Sequence, residues 1–367
     1  MRSEYEARIA QLEQRLNAAE QKVADVERAG AERASAQAMA QAAPPAGASA
    51  QDRGSSAFNP DIGVIFQGQA WNYRKNPDNY AIPGFPLGGE AGPVPEGFSV
   101  GETELNFSAN IDDKFTAWLT MPVAIENGDT SVDIEEAWIQ TLGMPAGLSI
   151  RMGRHFAGVG YLNDQHAHTW DFIDQPLPYQ AFLGGQYIAD GVQLRWLAPT
   201  ALYLELSGEV DRGDNYPSGG ARHSGYGSYA FHARLGGDVG FSNSWQTGLS
   251  YLRASAASRP SGNEDEPLLF TGHTDLAIAE LVWKWAPNGN NHQRNFKFQA
   301  EYLWRKEDGD YALGDSAVLP YDRKQRGWYA QAVWQPFPRW RFGLRWDALS
   351  GGNPGQEFAG TDLAPMG

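Results

Sequence analysis

Asn295-Phe296-Lys297-Phe298-Gln299-Ala300-Glu301-Tyr302-Leu303-Trp304-Arg305 is the stretch that decides the fold. Successive side chains of an extended strand point to opposite sides. Phe296, Phe298, Ala300, Tyr302 and Trp304 therefore share one face, and Lys297, Gln299, Glu301 and Arg305 the other. A lipid-facing side set against a water-facing side is the pattern of a strand in a transmembrane β-barrel. The alternation recurs in Thr103 to Ile111, where Leu105, Phe107, Ala109 and Ile111 oppose Glu104, Asn106, Ser108 and Asn110. Phe115, Ala117, Leu119, Met121 and Val123 continue it, and Ala277, Ala279, Leu281, Trp283 and Trp285 oppose Glu280 and Lys284. A soluble sandwich alternates too, but aromatic residues repeated at strand ends favour a membrane girdle.

Composition agrees. Aromatic residues make up 12% of the 367, with 13 Trp and 42 Gly. The mean hydropathy is nonetheless negative, and no apolar run of about 18 residues occurs, which excludes membrane-spanning helices. Strands that average a wet and a greasy face reconcile the two observations. With no cysteine, neither disulfides nor thiolate metal sites are possible. The net charge of −15 argues against nucleic acid as a partner, since phosphate binding needs clustered Lys and Arg. Met1-Arg2-Ser3-Glu4 opens straight into a polar helix without the apolar segment that export requires, which implies a trimmed leader.

Before the strands, residues 1–28 carry a heptad: Tyr5, Leu12, Ala19 and Val26 at one set of positions, Ile9, Leu16 and Val23 at the other. This spacing predicts an α-helical coiled coil, self-associating as a trimer, with a lone solvated helix as the alternative. Residues 29–57, rich in Ala, Gln, Pro, Gly and Ser, read as a flexible linker, and residues 58–367 as the barrel.

Short links such as Asp112-Asp113, Pro145-Ala146-Gly147, Ala198-Pro199-Thr200 and Pro336-Phe337-Pro338-Arg339 alternate with long ones at 74–97, 155–186, 212–227, 254–272 and 307–322. Short turns on one side and long loops on the other are a barrel's habit. About thirteen strands result, near 62–73, 99–111, 114–126, 132–141, 147–154, 187–197, 201–211, 228–239, 244–253, 273–286, 295–306, 325–335 and 340–347. An odd number does not close the usual bacterial barrel, so a barrel of about sixteen strands with a truncated C-terminus is expected. The fold class is thus all-β: a transmembrane antiparallel barrel behind a coiled coil, in contact with outer-membrane lipid, the coiled coil reaching into the periplasm toward the cell wall or a partner.

The stretch from Gly153 to Gly185 holds three of the seven histidines. As an external loop folded inward, 155–186 would narrow the pore, stiffened by Pro176, Pro178, Tyr179 and Phe182. Asp164, His166, His168, Trp170, Asp171 and Asp174 are the constriction candidates. Lumen-wall candidates are Glu102, Glu104, Lys114, Arg151, Arg195, Lys297, Glu301, Arg305, Arg341 and Arg345, whose mixed signs either set a transverse field or merely hydrate the lumen. On an extended segment His166 and His168 project to one side, so both imidazoles could reach a zinc or copper ion, with His155, Asp164 or Asp171 completing the shell. Packing and hydrogen bonding of the loop is the plainer reading of the same residues, and no cofactor is required. No GxSxG, HExxH, Walker or Rossmann pattern occurs at a useful place. Glu135-Glu136 points to opposite sides of a strand, and Glu264-Asp265-Glu266 sits in a loop, so no enzyme is expected.

A helix such as Ile9-Ala10-Gln11-Leu12-Glu13-Gln14-Arg15-Leu16, then a Pro and Ala linker, then Phe58-Asn59-Pro60-Asp61-Ile62 and a barrel, resembles the proteobacterial porin-like proteins related to the phosphate-selective and other sixteen-stranded trimeric porins. Gly160-Tyr161-Leu162-Asn163 through His166 to Phe172, with Gln193-Leu194-Arg195-Trp196-Leu197-Ala198-Pro199, is similar to a subgroup often labelled zinc-regulated TonB-dependent outer-membrane receptors. The first resemblance implies passive diffusion of small polar solutes through a homotrimeric channel of the bacterial outer membrane. The second implies an uptake receptor that captures a metal such as zinc.

Overall fold

The computed structural model describes residues 60–361 apart from 75, 78, 79, 86, 90, 95, 102, 127, 128, 220–224, 262–267, 314–316, 352–357, 359 and 360. The expected coiled coil at 1–28 and the linker at 29–57 lie outside the described residues, as does Glu102.

The early strands are β1 (Asp61–Ile65), β2 (Gln69–Trp71), β3 (Gly97–Ser99), β4 (Thr103–Asn110), β5 (Phe115–Glu126), β6 (Asp129–Val132), β7 (Glu136–Thr141) and β8 (Leu148–Phe156). One short helix, α1 (Leu177–Leu183), precedes β9 (Ile188–Leu197), β10 (Tyr203–Asp211), β11 (Ser228–Val239) and β12 (Asn243–Ser261). The last are β13 (Leu268–Trp285), β14 (Asn295–Leu313), β15 (Ala317–Phe337) and β16 (Trp340–Ser350). Among the described residues, thirteen strands pair with neighbours in chain order, from β1 through β4, β5, β7 and β8 to β16. β6 adds to β5, and β2 with β3 forms a separate ribbon. All the pairings are antiparallel, and β1 and β16 are the ends of the path.

The expected strand at 62–73 divides: Asp61–Ile65 pairs with β4, whereas Gln69–Trp71 pairs with β3. Two expected loops are largely strand. β12 runs to Ser261 and β13 starts at Leu268, replacing most of 254–272, and β14 runs to Leu313 with β15 from Ala317, replacing most of 307–322. The reason is visible in the side chains. Phe270, Tyr311 and Tyr321 keep the inward positions and pack with Leu268 and Phe358, while outward positions such as His273, Lys306, Asp308 and Asp322 turn polar. Charge on the outer face reads as loop in the sequence, although the alternation persists.

The sheet is inside-out relative to a soluble protein. Glu205, Ser207, Glu209 and Asp211 of β10 are buried on the inner face, and Leu206 and Val210 between them are exposed on the outer face. On β11, Ser228, His232 and Arg234 are buried while Phe231 and Leu235 are exposed.

Outer-face neighbours on β13 to β16 form rows across the strands. Trp285, Phe296, Trp334 and Phe342 lie in one row, and Trp283, Phe298, Ala332 and Leu344 in the next. Leu281, Ala300, Ala330 and Trp346 follow, then Ala279, Tyr302, Trp328 and Ala348. Aromatic residues thus crowd both margins of a band whose middle rows are mostly Ala and Leu. Past Trp304 the outer face becomes Asp275, Lys306 and Lys324. Phe296 to Trp304 spans roughly 27 Å along the strand at ~3.4 Å per residue, which at a tilt of about 40° gives a height of about 21 Å, close to that of a lipid-facing apolar band.

Candidate functional site

The long connection between β8 and β9, residues 157–187, folds onto the inner face. Ala157, Val159, Leu162, Tyr179, Ala181, Phe182, Leu183 and Tyr187 are buried against Leu252, Leu276, Ile278, Leu303 and Tyr329 of the wall. Wall positions that should face water are apolar where this connection docks, and each such side chain fully buried contributes about 1.5–3 kcal/mol. Asn163 ties the two stems together: its Nδ2 donates to Ala157 O at 2.8 Å and Tyr187 O at 2.9 Å, and the Tyr187 N–H donates back at 2.7 Å. α1 starts behind Pro176 and stops at Gly184, whose left-handed φ of 68° suits glycine. Gly160 is needed for approach, because a Cβ there would meet the Tyr179 hydroxyl and Glu301.

Polar wall residues hold the loop at many points. The Gly158 N–H donates to Glu209 at 3.1 Å, the Gly160 N–H to Ser250 at 3.0 Å and the Tyr161 N–H to Glu301 at 2.7 Å. Tyr179 and Tyr329 also donate to Glu301. Burial, and then the Glu301 carboxylate, push the Tyr179 hydroxyl well above its ordinary range, so it stays a donor. Arg234 donates to Asp164 at 2.9 Å and to Gly160 O at 2.6 Å, and Arg305 to Ala181 O at 2.9 Å.

The expected constriction acids are therefore paired with the wall. Asp164 meets Arg234, Asp171 meets Lys297 at 3.0 Å and Arg341 at 2.6 Å, and Asp174 meets Arg345 at 2.8 Å. Trp170 donates to Gln165 O within the loop. Of the wall candidates, Glu104, Lys297, Glu301, Arg305, Arg341 and Arg345 touch the loop directly. Arg195 pairs with Glu205 at 3.1 Å, and Arg151 lies over the Trp138 ring and donates to Gln140. Lys114 differs from expectation: it is exposed in the β4–β5 turn, where Asp112 accepts its backbone N–H.

His166 caps a 3-10 turn at Ala167–Thr169 and His168 lies within it, rather than both sitting on an extended segment, yet their ring centroids are 5.5 Å apart and they face β4 and β7. His168 Nδ1 is 2.7 Å from Glu104 Oε1. His166 Nδ1 is 3.0 Å from Glu135 Oε2 and 3.5 Å from Glu104 Oε2, and its Nε2 is 3.0 Å from Glu136 Oε2. Burial works against a charged imidazole here, but the Glu135 and Glu136 carboxylates overcome it and push His166 up to about 11. Asn106 donates to Glu104 and accepts from Thr120, which accepts from Trp118, while Trp138 donates to Glu136. His155 does not join this group. It is buried on β8 beside Glu209 and Asp211, at 3.6 and 3.8 Å.

Glu135 and Glu136 were not expected as partners of one histidine. Glu135 lies just before β7, where strand alternation does not apply, so both carboxylates reach His166. A signal for the docked loop was present in Leu303, an apolar residue between Glu301 and Arg305 on the wet face. Open space remains between the loop and the first strands, a cavity of about 1350 Å³ whose charged lining comprises Asp133, Glu135, Asp174 and Asp190 against Arg154.

No family model matches the chain. A protein of Aquifex aeolicus (strain VF5), described as uncharacterized, is 32% identical over 314 residues, which cover 80% of this chain and 65% of that protein's length. Among solved structures, the outer-membrane protein OmpT of Vibrio cholerae in its trimer form is 11% identical with a TM-score of 0.37, covering 80% of this chain and 89% of its own. OprB of Pseudomonas putida is 10% identical with a TM-score of 0.37, covering 67% and 82%.

Proposed function

We propose that this chain is a porin-like β-barrel of the bacterial outer membrane, through which small polar solutes diffuse past the inward-folded loop 157–187. One observation carries the reading: an outer face of Ala, Leu and aromatic residues, rimmed by Trp and Tyr and ending in charge, around an inner face of Glu, Arg, Gln and Ser. Water does not favour such an outer face, whereas lipid does. The loop fills one side of the interior and leaves the cavity by the early strands as the passage. Of its acidic lining, Asp174 is paired with Arg345, Glu135 with His166 and Asp190 with Arg154, so Asp133 is the residue that supports a preference for cations.

The test is conductance of the folded chain in planar lipid bilayers. Steady ohmic steps that enlarge when residues 164–183 are replaced by a short Gly and Ser linker support the channel. A chain that inserts in vesicles, by protease protection, yet carries no current would overturn it.

A further inference from the structure

Glu104, His166 and His168 bring one ligand atom each within 4.8 Å of one another, at the seam where the loop meets β4 and β7. His166 Nδ1 and Glu135 Oε2 are 3.0 Å apart, and both are buried without a well-aligned hydrogen bond, as is His168 Nε2. Buried polar atoms in that condition are costly. We propose that Glu104, His166 and His168, with Glu135 as fourth ligand, bind one divalent transition-metal ion such as zinc and so pin the loop to the first strands.

The ligand chemistry supports this. Imidazole and carboxylate suit zinc, copper or nickel better than calcium or magnesium, which prefer all-oxygen shells. Bonds of about 2.0–2.2 Å form once Glu104, His166 and His168, whose ligand atoms already lie within 4.8 Å of one another, rotate inward and Glu135 swings from beside His166 Nδ1 onto the ion. His166 is oriented for coordination once an incoming ion displaces its Nδ1 proton into solvent, with Nδ1 facing Glu104 and Glu135 and Nε2 lying 3.0 Å from Glu136 Oε2. A carboxylate holding the far nitrogen of a metal-bound histidine fixes the ring and raises its basicity, so Glu136 is a positioning residue. Asn106 does the same for Glu104. An ion reaches the cluster from the cavity, which both Glu135 and Ala167 line. The inference rests on the contact between loop and wall rather than on conduction, and it survives if the chain proves not to be a channel.

The experiment uses the whole chain folded in detergent micelles, stripped with a chelator and titrated calorimetrically with zinc chloride, then with cobalt chloride followed by visible absorption. One equivalent of zinc per chain is expected. Binding should be lost in the His166→Ala, His168→Ala double variant and retained in the His273→Ala, His292→Ala control, whose histidines are exposed. Glu136→Gln should weaken it by about 10- to 100-fold. Intense cobalt bands of low coordination number in the unmodified chain support the site even if a variant misfolds. Absence of binding to the folded unmodified chain, equal affinity in the double variant, or only the weak spectrum of hexaaqua cobalt would overturn the proposal.

Discussion

The Tyr179 hydroxyl stands 2.9 Å from Glu301 Oε2, joining residues 122 positions apart and fastening α1 of the loop to the middle of β14. Glu301 is buried and accepts as well from Tyr161 and Tyr329. Its carboxylate is thus the central anchor of the loop.

Tyr179→Phe removes one donor and leaves the other two in place. A buried carboxylate short of a partner costs about 1–3 kcal/mol, expressed as loosening of the loop more than as unfolding of the sheet. Faster limited proteolysis between residues 157 and 187, with an unchanged far-ultraviolet spectrum, is the expected outcome.

Asp171 is shared by Lys297 and Arg341. Asp171→Asn leaves both wall cations without their counter-charge and adds one net positive charge to the inner face, so the cation preference of the passage should fall. A reversal potential measured across a salt gradient should move toward that of an anion path, while Lys306→Ala, on the outer face beyond the apolar band, should leave it unmoved.

Leu281 lies in the middle row of the outer band, beside Ala300. Leu281→Arg places a charge against hydrocarbon and should destabilise the chain in lipid vesicles by roughly 2–4 kcal/mol. Denaturant unfolding by tryptophan fluorescence reads the difference. A change below about 0.5 kcal/mol, typical of a surface site in water, would contradict the lipid-facing assignment.

His166, pushed up from 6.5 to about 11 by Glu135 and Glu136 against the effect of burial, is protonated in the ion-free fold at neutral pH. A raised value means the fold favours the proton, so the stability it lends is fully present below about 6.5 and lost as pH rises through about 11. Protease sensitivity of the loop should therefore increase on the alkaline side. His166→Ala should be loose already at neutral pH and lack that alkaline step.

Much of the architecture was legible in the sequence because strand alternation is local. Phe296, Phe298, Ala300, Tyr302 and Trp304 declare their face from spacing alone, and the thirteen paired strands follow one another in chain order. The inward loop was also expected, from its length and its aromatics. Only the tertiary structure decided what the loop grips. His166 meets Glu104, Glu135 and Glu136 from two distant places in the chain, and His155, eleven residues from it, faces Glu209 and Asp211 instead. Where β12 to β15 stop was equally hidden, since polar outer positions beyond Trp304 look like loop until Phe270, Tyr311 and Tyr321 are seen packed inside. Periodicity assigns a side chain to a face from its near neighbours. Which residue waits across that face depends on sheet curvature and on strands a hundred residues away, and no spacing within one segment contains that information.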